Sequence, residues 1–592
     1  MLKHNEEIIE KLLADEFIRG MDISSLPEIE EKGGKFYDFD GKEYEGLDII
    51  KKYGVNYIRL RIWNEPRNVP ESGGYCDLDH TIRMAKRIKA KGFKFFLDFH
   101  YSDWWADPGK QNKPKAWEDL SFDELVQAVY EYTYHVLEEL DKAKAYPDMV
   151  QIGNEIRSGM LFPDGMVQNW PKLAKLINAG VKAVRDTQKD RPTAVVIHLD
   201  QGGKYHYFED FFDKAIAHGV TDFDVIGLSY YPFWHGTFND FKTTMDKLVD
   251  RYGKPLVVAE IAHAHRLHKD KGGMFGQDQE EISGFAASEE NQRLVIKLIM
   301  NITANVKNNM GLGTFYWEPL AIPTPGQDPN IGWHNMAIFD SNGRALEALK
   351  AYSFDPDKAD NSMVCKIYNP TNMDVPVGER PKLPGTVKVL MFDGRVEDRK
   401  VTWEEITDDM IEKEGKYLIK GKVENTHKQA ELYLFVSNEF LQLTNYIKNP
   451  NFDEQLEGWN VSTSLGEVVT GIGAENRFPM PDLHYFYYES RENFTLDISQ
   501  TIEGLEKGKY SLSVMIRGDN TTGVEVGLYA KHQNGEKIFR QMHPSDHEWK
   551  EYRIDDIKVV KDKIDIGVEI VSPPVIGKIT AFKLVRTGKI ED

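Results

Sequence analysis

The chain has 592 residues, of which 41% are hydrophobic and 29% are charged. These proportions are those of an ordinary soluble globular protein, and the length accommodates several domains of ~100–200 residues or one barrel with smaller modules. The formal net charge of -21 argues against nucleic acid or an anionic membrane surface as the partner, because both would repel an acidic protein. A neutral polymer is compatible with this charge.

The two cysteines, Cys76 and Cys365, are too few for a disulfide framework and have no zinc-type spacing. The N-terminal segment 1–10 is charged and lacks the apolar stretch of a signal peptide. No run of about 18 apolar residues predicts a transmembrane helix. We therefore expect either an intracellular protein or a secreted one whose leader is missing from this chain.

Residues 15–350 alternate strand-like and helix-like stretches. The predicted strands are 17–22, 56–62, 93–100, 149–155, 193–200, 224–230, 255–260 and 313–318, and amphipathic stretches predict helices over 78–91, 122–144, 170–187, 208–218, 241–252 and 289–309. Eight strands alternating with helices favour an α/β fold, the (β/α)8 TIM barrel, over an open doubly wound sheet. No glycine-rich phosphate loop follows the first strand, which weakens a nucleotide-binding interpretation. We assign residues 1–355 to this barrel.

After Tyr352 the pattern changes to short strand-like runs separated by turn signals such as Asp393-Gly394. This predicts a small all-β sandwich over 356–440. A second all-β sandwich is expected over 441–592. The predicted architecture is therefore a barrel followed by two all-β domains.

Two apolar runs of the barrel end in a glutamate: Val150-Gln-Ile-Gly-Asn-Glu155 and Leu256-Val-Val-Ala-Glu260. Burying a carboxylate at a strand end is costly unless the group faces a cleft, and the strand ends of such barrels carry the active site. Two carboxylates facing each other across a sugar are what glycoside hydrolysis requires. The alternative is two unrelated strand ends that happen to be acidic.

Several other predicted strands end in groups suited to sugar hydroxyls and ring faces. These are Arg59, Arg61 and Trp63 on the second strand, Asp98 and His100 on the third, Ser229, Tyr230 and Tyr231 on the sixth, and Trp317 and Glu318 on the eighth. Each alone could be a structural ion pair or hydrogen bond, whereas their joint occurrence favours a sugar site.

A metal centre built on His263, His265 and His268 is the minor alternative, because spacing fixes no third ligand; we assign no metal ligands.

Longer motifs occur in a fixed order along the barrel. They are Gly20-Met-Asp-Ile-Ser-Ser25, Gly54-Val-Asn-Tyr-Ile-Arg-Leu-Arg-Ile-Trp63, Leu97-Asp-Phe-His-Tyr-Ser-Asp-Trp-Trp-Ala-Asp-Pro-Gly-Lys-Gln111, Lys113-Pro-Lys-Ala-Trp117, Gln151-Ile-Gly-Asn-Glu-Ile-Arg-Ser-Gly-Met-Leu161 and Gly313-Thr-Phe-Tyr-Trp-Glu-Pro319. With these motifs the chain resembles glycoside hydrolase family 53, the endo-β-1,4-galactanases, over about residues 14–352.

The resemblance implies a retaining enzyme in which Glu155 is the acid/base and Glu260 the nucleophile. It also implies that Asn154 holds the sugar 2-hydroxyl and that Tyr230 orients the nucleophile. The remaining substrate-binding residues it implies are Arg59 and Arg61 beside the nucleophile, Trp317 and His100 around the subsite before the cleaved bond, and Asp22, Asp98, Asp103, Trp104, Trp105 and Trp333.

After Glu260 the chain departs from the family, because 261–270 is rich in bases where some bacterial members have an acidic calcium loop. We expect no required cofactor, and calcium remains an alternative. The expected substrate is β-1,4-galactan or its oligosaccharides, cleaved by a monomer. Other candidates are an exo-acting or oligosaccharide-specific β-galactosidase, another β-glycanase of the same clan, and a non-catalytic galactan-binding protein.

The segments after the barrel have resemblances of their own. Residues 382–403 resemble a bacterial immunoglobulin-like domain, and 449–459 with 499–512 resembles jelly-roll carbohydrate-binding modules, of which galactan-binding family 61 is the nearest. A stabilising β domain without a ligand is the alternative. The aromatic cluster formed by Phe478 and His484-Tyr-Phe-Tyr-Tyr488 could be a sugar platform or part of the core.

Overall fold

The computed structural model describes residues 2–268, 274–330, 332–370, 372–437, 445–477, 480–505, 507–519, 523–545, 549–560, 563–588 and 590. Its contacts divide into two units, one of Met1–Lys366 with Leu390–Glu397 and the other of Ile367–Val389 with Asp398–Asp592. Among the helices of these described residues, none is long and apolar enough to cross a membrane.

Eight parallel strands close into a barrel in the first unit. They are β1 (Ile18–Asp22), β2 (Tyr57–Ile62), β3 (Lys94–Phe99), β4 (Met149–Ile152), β5 (Ala194–Leu199), β6 (Val225–Ser229), β7 (Leu256–Ile261) and β8 (Gly311–Trp317), in the order β1-β8-β7-β6-β5-β4-β3-β2. The predicted barrel is confirmed. The main difference is β4, which ends at Ile152 because Gly153 (φ 77°) and Glu155 (φ 48°) turn the chain out of the extended conformation.

The helices surround the barrel. They are α1 (Leu2–Ala14), α2 (Leu26–Glu31), α3 (Gly46–Lys52), α4 (Leu78–Ala90), α5 (Phe122–Lys142), α6 (Trp170–Gln188), α7 (Tyr205–Ala217), α8 (Phe238–Tyr252), α9 (Gln277–Ser283) and α10 (Glu289–Ala304). All six predicted helices are present. The start of α8 lies before the predicted residue 241, because Thr237 accepts a hydrogen bond from the backbone of Asp240 and closes a capping box.

Helix α1 closes the N-terminal end of the barrel. Its Ile8 is fully buried in a cluster that includes Ile18, Phe96 and Phe315, side chains that point into the barrel from three strands. Because this apolar layer fills the lower barrel, polar side chains are confined to the opposite end, where the strands terminate.

The chain after the barrel is built from β-sheets. Strands β9 (Val364–Ile367), β10 (Met373–Pro376), β11 (Thr386–Met391), β12 (Val396–Trp403), β13 (Gly415–Val423) and β14 (Gln429–Ser437) form one six-stranded sheet in the order β9-β11-β12-β13-β14-β10. Helix α11 (Asp408–Ile411) packs Ile411 into the apolar cluster of this region, with Ile419, Leu432 and Leu434.

Two five-stranded sheets follow. Their strands are β15 (Asn460–Leu465), β16 (Val469–Arg477), β17 (Met480–Glu489), β18 (Phe494–Glu503), β19 (Gly508–Gly518), β20 (Glu525–His532), β21 (Lys537–Met542), β22 (Lys550–Val559), β23 (Lys563–Ser572) and β24 (Ile576–Gly588). The orders are β15-β18-β23-β20-β21 and β16-β17-β24-β19-β22, and one buried cluster draws side chains from both sheets, such as Ile498 and Leu512. The C-terminal module is therefore a β-sandwich.

The aromatic cluster of β17 divides between two faces. Phe486 and Tyr488 belong to the buried core, whereas Tyr485 lies under the ammonium group of Lys578, which is 4.3 Å from its ring centroid. Strand alternation places Tyr487 on the same outer face as Tyr485. Phe478 lies outside the described residues.

Candidate active site

Glu155 and Glu260 face each other at the C-terminal end of the barrel. One oxygen of each carboxylate and one ring nitrogen of His198 lie within 4.8 Å of one another. Glu260 is on β7 and 6% exposed, and Glu155 follows β4 in a left-handed backbone conformation. Such a conformation costs a non-glycine residue about 1–3 kcal/mol and is found at functional sites. The two strand ends predicted from the sequence thus meet in one site.

Arg59 forms hydrogen bonds with Glu260 and with other polar side chains at the end of the barrel. Its Nη1 donates to Asp22 at 2.9 Å and to Glu260 Oε1 at 3.2 Å, and its Nη2 donates to Asp98 at 2.8 Å and to Asn154 at 3.1 Å. The guanidinium is 1% exposed, so these carboxylates are not screened from it by solvent. Arg59 therefore favours the ionised form of Glu260.

The second oxygen of Glu260 accepts a hydrogen bond from the hydroxyl of Tyr231, at 2.9 Å. The prediction that Tyr230 orients the nucleophile is wrong. Tyr230 is buried, stacks on Phe241 with 3.9 Å between ring centroids, and donates its hydroxyl to the carbonyl of Gly236. Ser229 contacts Glu155 and Tyr231 contacts Glu260, so these two alternate residues point into the site, whereas Tyr230 between them points toward helix α8.

The environments of the two glutamates differ. Burial raises the pKa of Glu155 well above its usual value, and the neighbouring charges of Glu260 and Asp200 raise it further. Burial also raises the pKa of Glu260, to about 7, but Arg59 and the hydrogen bond from Tyr231 oppose that rise. Because Glu260 accepts a hydrogen bond from the Arg59 cation, whereas Glu155 accepts one from the neutral hydroxyl of Ser229, Glu155 is the more easily protonated of the two. This is the division of states that an acid/base and a nucleophile require.

Aromatic side chains line the cleft above the carboxylates. The cleft has a volume of about 510 Å³. Trp317 packs edge-on against Trp333 with ring centroids 4.5 Å apart, and Trp105 lies 5.6 Å from Trp317. The guanidinium of Arg61 lies 4.2 Å from the Trp105 ring centroid and is paired with Glu318. This ion pair supports the aromatic wall from behind.

Most predicted site residues line this cleft, and a few do not. Those that line it are Asp22, Arg59, Arg61, His100, Trp105, Asn154, Trp317 and Trp333, together with Glu155 and Glu260. Asp98, Asp103, Trp104 and Tyr230 are not among its lining side chains.

The residues outside the lining have structural roles that the sequence did not distinguish. Asp98 is buried and accepts hydrogen bonds from Arg59 and Gln151. Asp103 ties its loop together by accepting from the backbone of Glu65 and of Lys115. These two carboxylates therefore shape the site from outside the cleft and do not face a sugar.

His100 lines the cleft, as predicted, but both of its ring nitrogens have partners within the protein. Its Nδ1 accepts from Trp63 Nε1 at 3.2 Å and from the backbone of Ala106 at 3.1 Å, and its Nε2 is 3.1 Å from Asp98. Both nitrogens are thus engaged by the protein, and the predicted hydrogen bond from His100 to sugar is not supported.

The predicted site residues leave out part of the cleft. Its lining also includes Tyr231, which the sequence offered as a strand-end group without a role, and Asp107, Lys110, Asp200, Trp234, His235 and Met274. His198 and Ser229 lie directly behind Glu155 and are fully buried. A usable signal was present for His198, which shares a strand face with Asp200, but a single histidine inside an apolar strand is usually part of the core.

The site can be tested for a metal by its donor atoms. Among the residues that the structure describes, Glu155, His198 and Glu260 are the one group of at least three His, Cys, Asp or Glu side chains close enough to share an ion. The nitrogens of His198 are already hydrogen-bonded within the barrel, to Gln151 and Ser229. The imidazoles of His263, His265 and His268 form no such group within the described chain. The cluster therefore consists of the two predicted catalytic carboxylates and a histidine whose ring nitrogens are engaged within the barrel.

Comparisons with known proteins agree with this geometry. Residues 18–352 match Glycosyl hydrolase family 53, and 368–426 match the Bacterial Ig-like domain (group 4). The chain is 34% identical to the endo-β-1,4-galactanase of Bacillus subtilis (strain 168) over 351 residues, which are 58% of this chain and 79% of that protein. It aligns with the Ignisphaera aggregans GH53 catalytic domain at 45% identity and a TM-score of 0.54, covering 57% of this chain and 96% of that domain.

The C-terminal module is similar to TmCBM61 in complex with β-1,4-galactotriose, at 26% identity and a TM-score of 0.22, over 24% of this chain and 99% of that one.

Proposed function

This chain belongs to glycosyl hydrolase family 53, and from that premise we propose that it is a retaining endo-β-1,4-galactanase acting on galactan of the type I arabinogalactan class. The observation that carries the proposal is the separation of the catalytic carboxylates, with oxygens of Glu155 and Glu260 within 4.8 Å. Retaining glycosidases place their carboxyl groups ~5–5.5 Å apart, whereas inverting ones leave ~6.5–9.5 Å for a water molecule.

The chemistry proceeds in two displacements. Glu260 attacks the anomeric carbon, the bond to the leaving oxygen breaks, and that oxygen takes the proton from Glu155. Water then gives a proton to Glu155 while its oxygen displaces Glu260 from the same carbon. Each displacement inverts the centre, so the product keeps the configuration of the substrate.

The surroundings of the pair suit a sugar chain. Asn154 uses one amide hydrogen for the carbonyl of Ala106, at 2.9 Å, and its second is available for the 2-hydroxyl. Trp317 and Trp105 offer ring faces that pack on the apolar faces of galactose. Both carboxylates and the aromatic lining of the cleft belong to one barrel, and we propose a monomer as the active form.

The experiment that tests the function is hydrolysis of unbranched β-1,4-galactan beside arabinan, xylan and mannan. An endo-acting enzyme lowers the viscosity of galactan early and releases a range of oligosaccharides. An exo-acting β-galactosidase, the alternative, releases short products while the viscosity stays high. Glu155→Gln and Glu260→Gln serve as inactive controls, and a non-catalytic binding protein would release no reducing ends in any form.

The hydrolysis is proposed to need no metal, because the carboxylates supply both the proton and the nucleophile. Calcium is the alternative that the family raises for the segment after β7, of which 269–273 lie outside the described residues. Dialysis against EDTA is expected to leave the rate on galactan unchanged. A loss that calcium restores would establish a calcium site.

We propose further that the C-terminal module binds β-1,4-galactan on the outer face of sheet β15-β18-β23-β20-β21. Phe539 is 45% exposed there, with its ring over Gly527, and Tyr529 lies beside it over Gly567. A Cβ at Gly527 would come within 1.9 Å of the Phe539 ring, so this glycine lets the ring lie flat on the sheet. Tyr529 is buried under the ammonium group of Lys537, which lies 4.3 Å from its ring centroid, and donates its hydroxyl to Asp497. The exposed ring of Phe539, with these polar neighbours, is suited to stacking on galactose.

A further inference from the structure

Behind the acid/base lies a chain of buried hydrogen bonds. The hydroxyl of Ser229, at the end of β6, donates to Glu155 Oε1 at 2.6 Å. His198, in the middle of β5, has its Nε2 at 2.9 Å from the Ser229 oxygen. Both side chains are fully buried. Within the described residues, neither side chain is hydrogen-bonded to the nucleophile Glu260.

The donors and acceptors of this chain fix its direction. A serine hydroxyl has one hydrogen, which Ser229 gives to the carboxylate of Glu155, so its oxygen accepts from His198 Nε2. The imidazole that carries its hydrogen on Nε2 has a lone pair on Nδ1. Nδ1 lies 3.1 Å from Gln151 Nε2, an amide that can donate, and also 3.1 Å from Asn154 Oδ1, which accepts from Arg59 and Gln151. Burial and the positive charge of Arg59 hold the pKa of His198 well below its usual value, which agrees with a neutral ring.

We propose that His198 and Ser229 are positioning residues for the acid/base: Nε2–H of His198 orients the Ser229 hydroxyl, which occupies Glu155 Oε1 and leaves the catalytic proton on Oε2. This rests on the proposed hydrolase function. When Oε2 gives its proton to the leaving oxygen, the hydrogen bond from Ser229 stabilises the new negative charge. When water attacks, Oε2 takes the proton back.

Other charges also face these groups. Around Glu155 they are Glu260, Asp200, Asp107 and Arg157, and around His198 they are Arg59, His100 and His235. Arg157 is engaged by Asp200 at 2.8 Å. The basic limb of the rate therefore reports the pKa of Glu155 as these neighbouring charges set it. Variants of Ser229 and His198 must keep all of these charged residues.

Ser229→Ala tests the link that touches Glu155. Since the lost hydrogen bond favours the charged carboxylate, the pKa of Glu155 should rise and the basic limb of kcat/KM should move to higher pH. The rate on galactan should fall roughly tenfold to a hundredfold, the usual effect of losing a hydrogen bond to a charged group. The loss should be smaller on dinitrophenyl β-galactobioside, whose leaving group needs little protonation.

The matched pair His198→Gln and His198→Asn tests the second link. The longer Gln places an amide N–H near the position of Nε2, whereas Asn does not reach Ser229. We expect His198→Gln to retain more activity and the wild-type basic limb, and His198→Asn to resemble Ser229→Ala. In the Ser229→Ala background the two His198 variants should become equal, because the serine they act through is gone.

The outcomes separate the proposal from a purely structural role and from failure of the function. The positioning role is overturned if Ser229→Ala leaves the basic limb at its wild-type pH and lowers the rate by the same factor on galactan and on dinitrophenyl β-galactobioside. If His198→Gln and His198→Asn have the same rate and the same basic limb when Ser229 is unchanged, the positioning role of His198 is overturned. Thermal unfolding of each variant identifies those that do not fold. If folded wild-type protein does not cleave galactan while Glu155→Gln behaves identically, it is the hydrolase function that fails.

Discussion

The Tyr231 hydroxyl donates a hydrogen bond to Glu260 Oε2 at 2.9 Å. The other oxygen of this carboxylate, Oε1, accepts a hydrogen bond from Arg59 Nη1 at 3.2 Å. Each oxygen of the nucleophile is therefore held by its own donor. These two donors favour the ionised form of the carboxylate and hold its orientation. Two donors on one buried carboxylate are also what brings its pKa down against the effect of burial.

Tyr231→Phe should lower kcat on galactan by roughly tenfold to a hundredfold. Because the lost hydrogen bond favours the ionised form, the pKa of Glu260 should rise and the acidic limb of the pH–rate curve should move to higher pH. The matched control is Tyr230→Phe, whose hydroxyl contacts Gly236 and not the nucleophile. An acidic limb that moves in Tyr230→Phe and not in Tyr231→Phe would reverse the assignment.

These neighbouring tyrosines illustrate where sequence reasoning succeeds and where it ends. The barrel and its two glutamates follow from apolar runs with a regular period, which depend on local patterns alone. The choice between Tyr230 and Tyr231 depends on which face of β6 points into the barrel, and this strand is buried on both faces, so its apolar run does not show it. His198 resembles a core residue because it lies inside an apolar strand and its partners come from other strands.

Glu155→Gln tests the acid/base. Glu155 must be protonated to release the leaving group, so the wild-type rate should fall as pH rises through its raised pKa. With an activated aryl galactobioside the Gln variant should retain formation of the galactosyl-enzyme but lose this basic limb. Steady-state pH profiles of both forms on that substrate decide the point. A basic limb that persists in Glu155→Gln belongs to another group.

Trp105 and Trp104 are adjacent but differ in exposure to the cleft. Trp105 lines it and Trp104 does not. Trp105→Ala should reduce kcat/KM for galactan about tenfold, since it removes a ring face from the sugar site and a contact of Arg61. Trp104→Ala is the matched control and should change kcat/KM little. Equal losses in the two variants would mean that the loop as a whole, and not the Trp105 ring, matters.

Phe539 is the most exposed ring of the proposed platform on the C-terminal module. In the full-length protein, Phe539→Ala should reduce retention in galactan-containing gels and slow hydrolysis of dilute polymer, because the module raises the local substrate concentration. Hydrolysis of soluble galactotetraose should not change. Tyr487→Ala on the other sheet is the control. Retention that drops in the control alone would place the sugar site on that other sheet.

The central claim is a double displacement by Glu155 and Glu260, and the anomeric configuration of the first products tests it most directly. Proton NMR during hydrolysis of β-1,4-galactan should show new reducing ends appearing as β anomers, with α anomers growing only later by mutarotation. Reducing ends that appear first as α anomers would mean a single inverting displacement and would contradict the account.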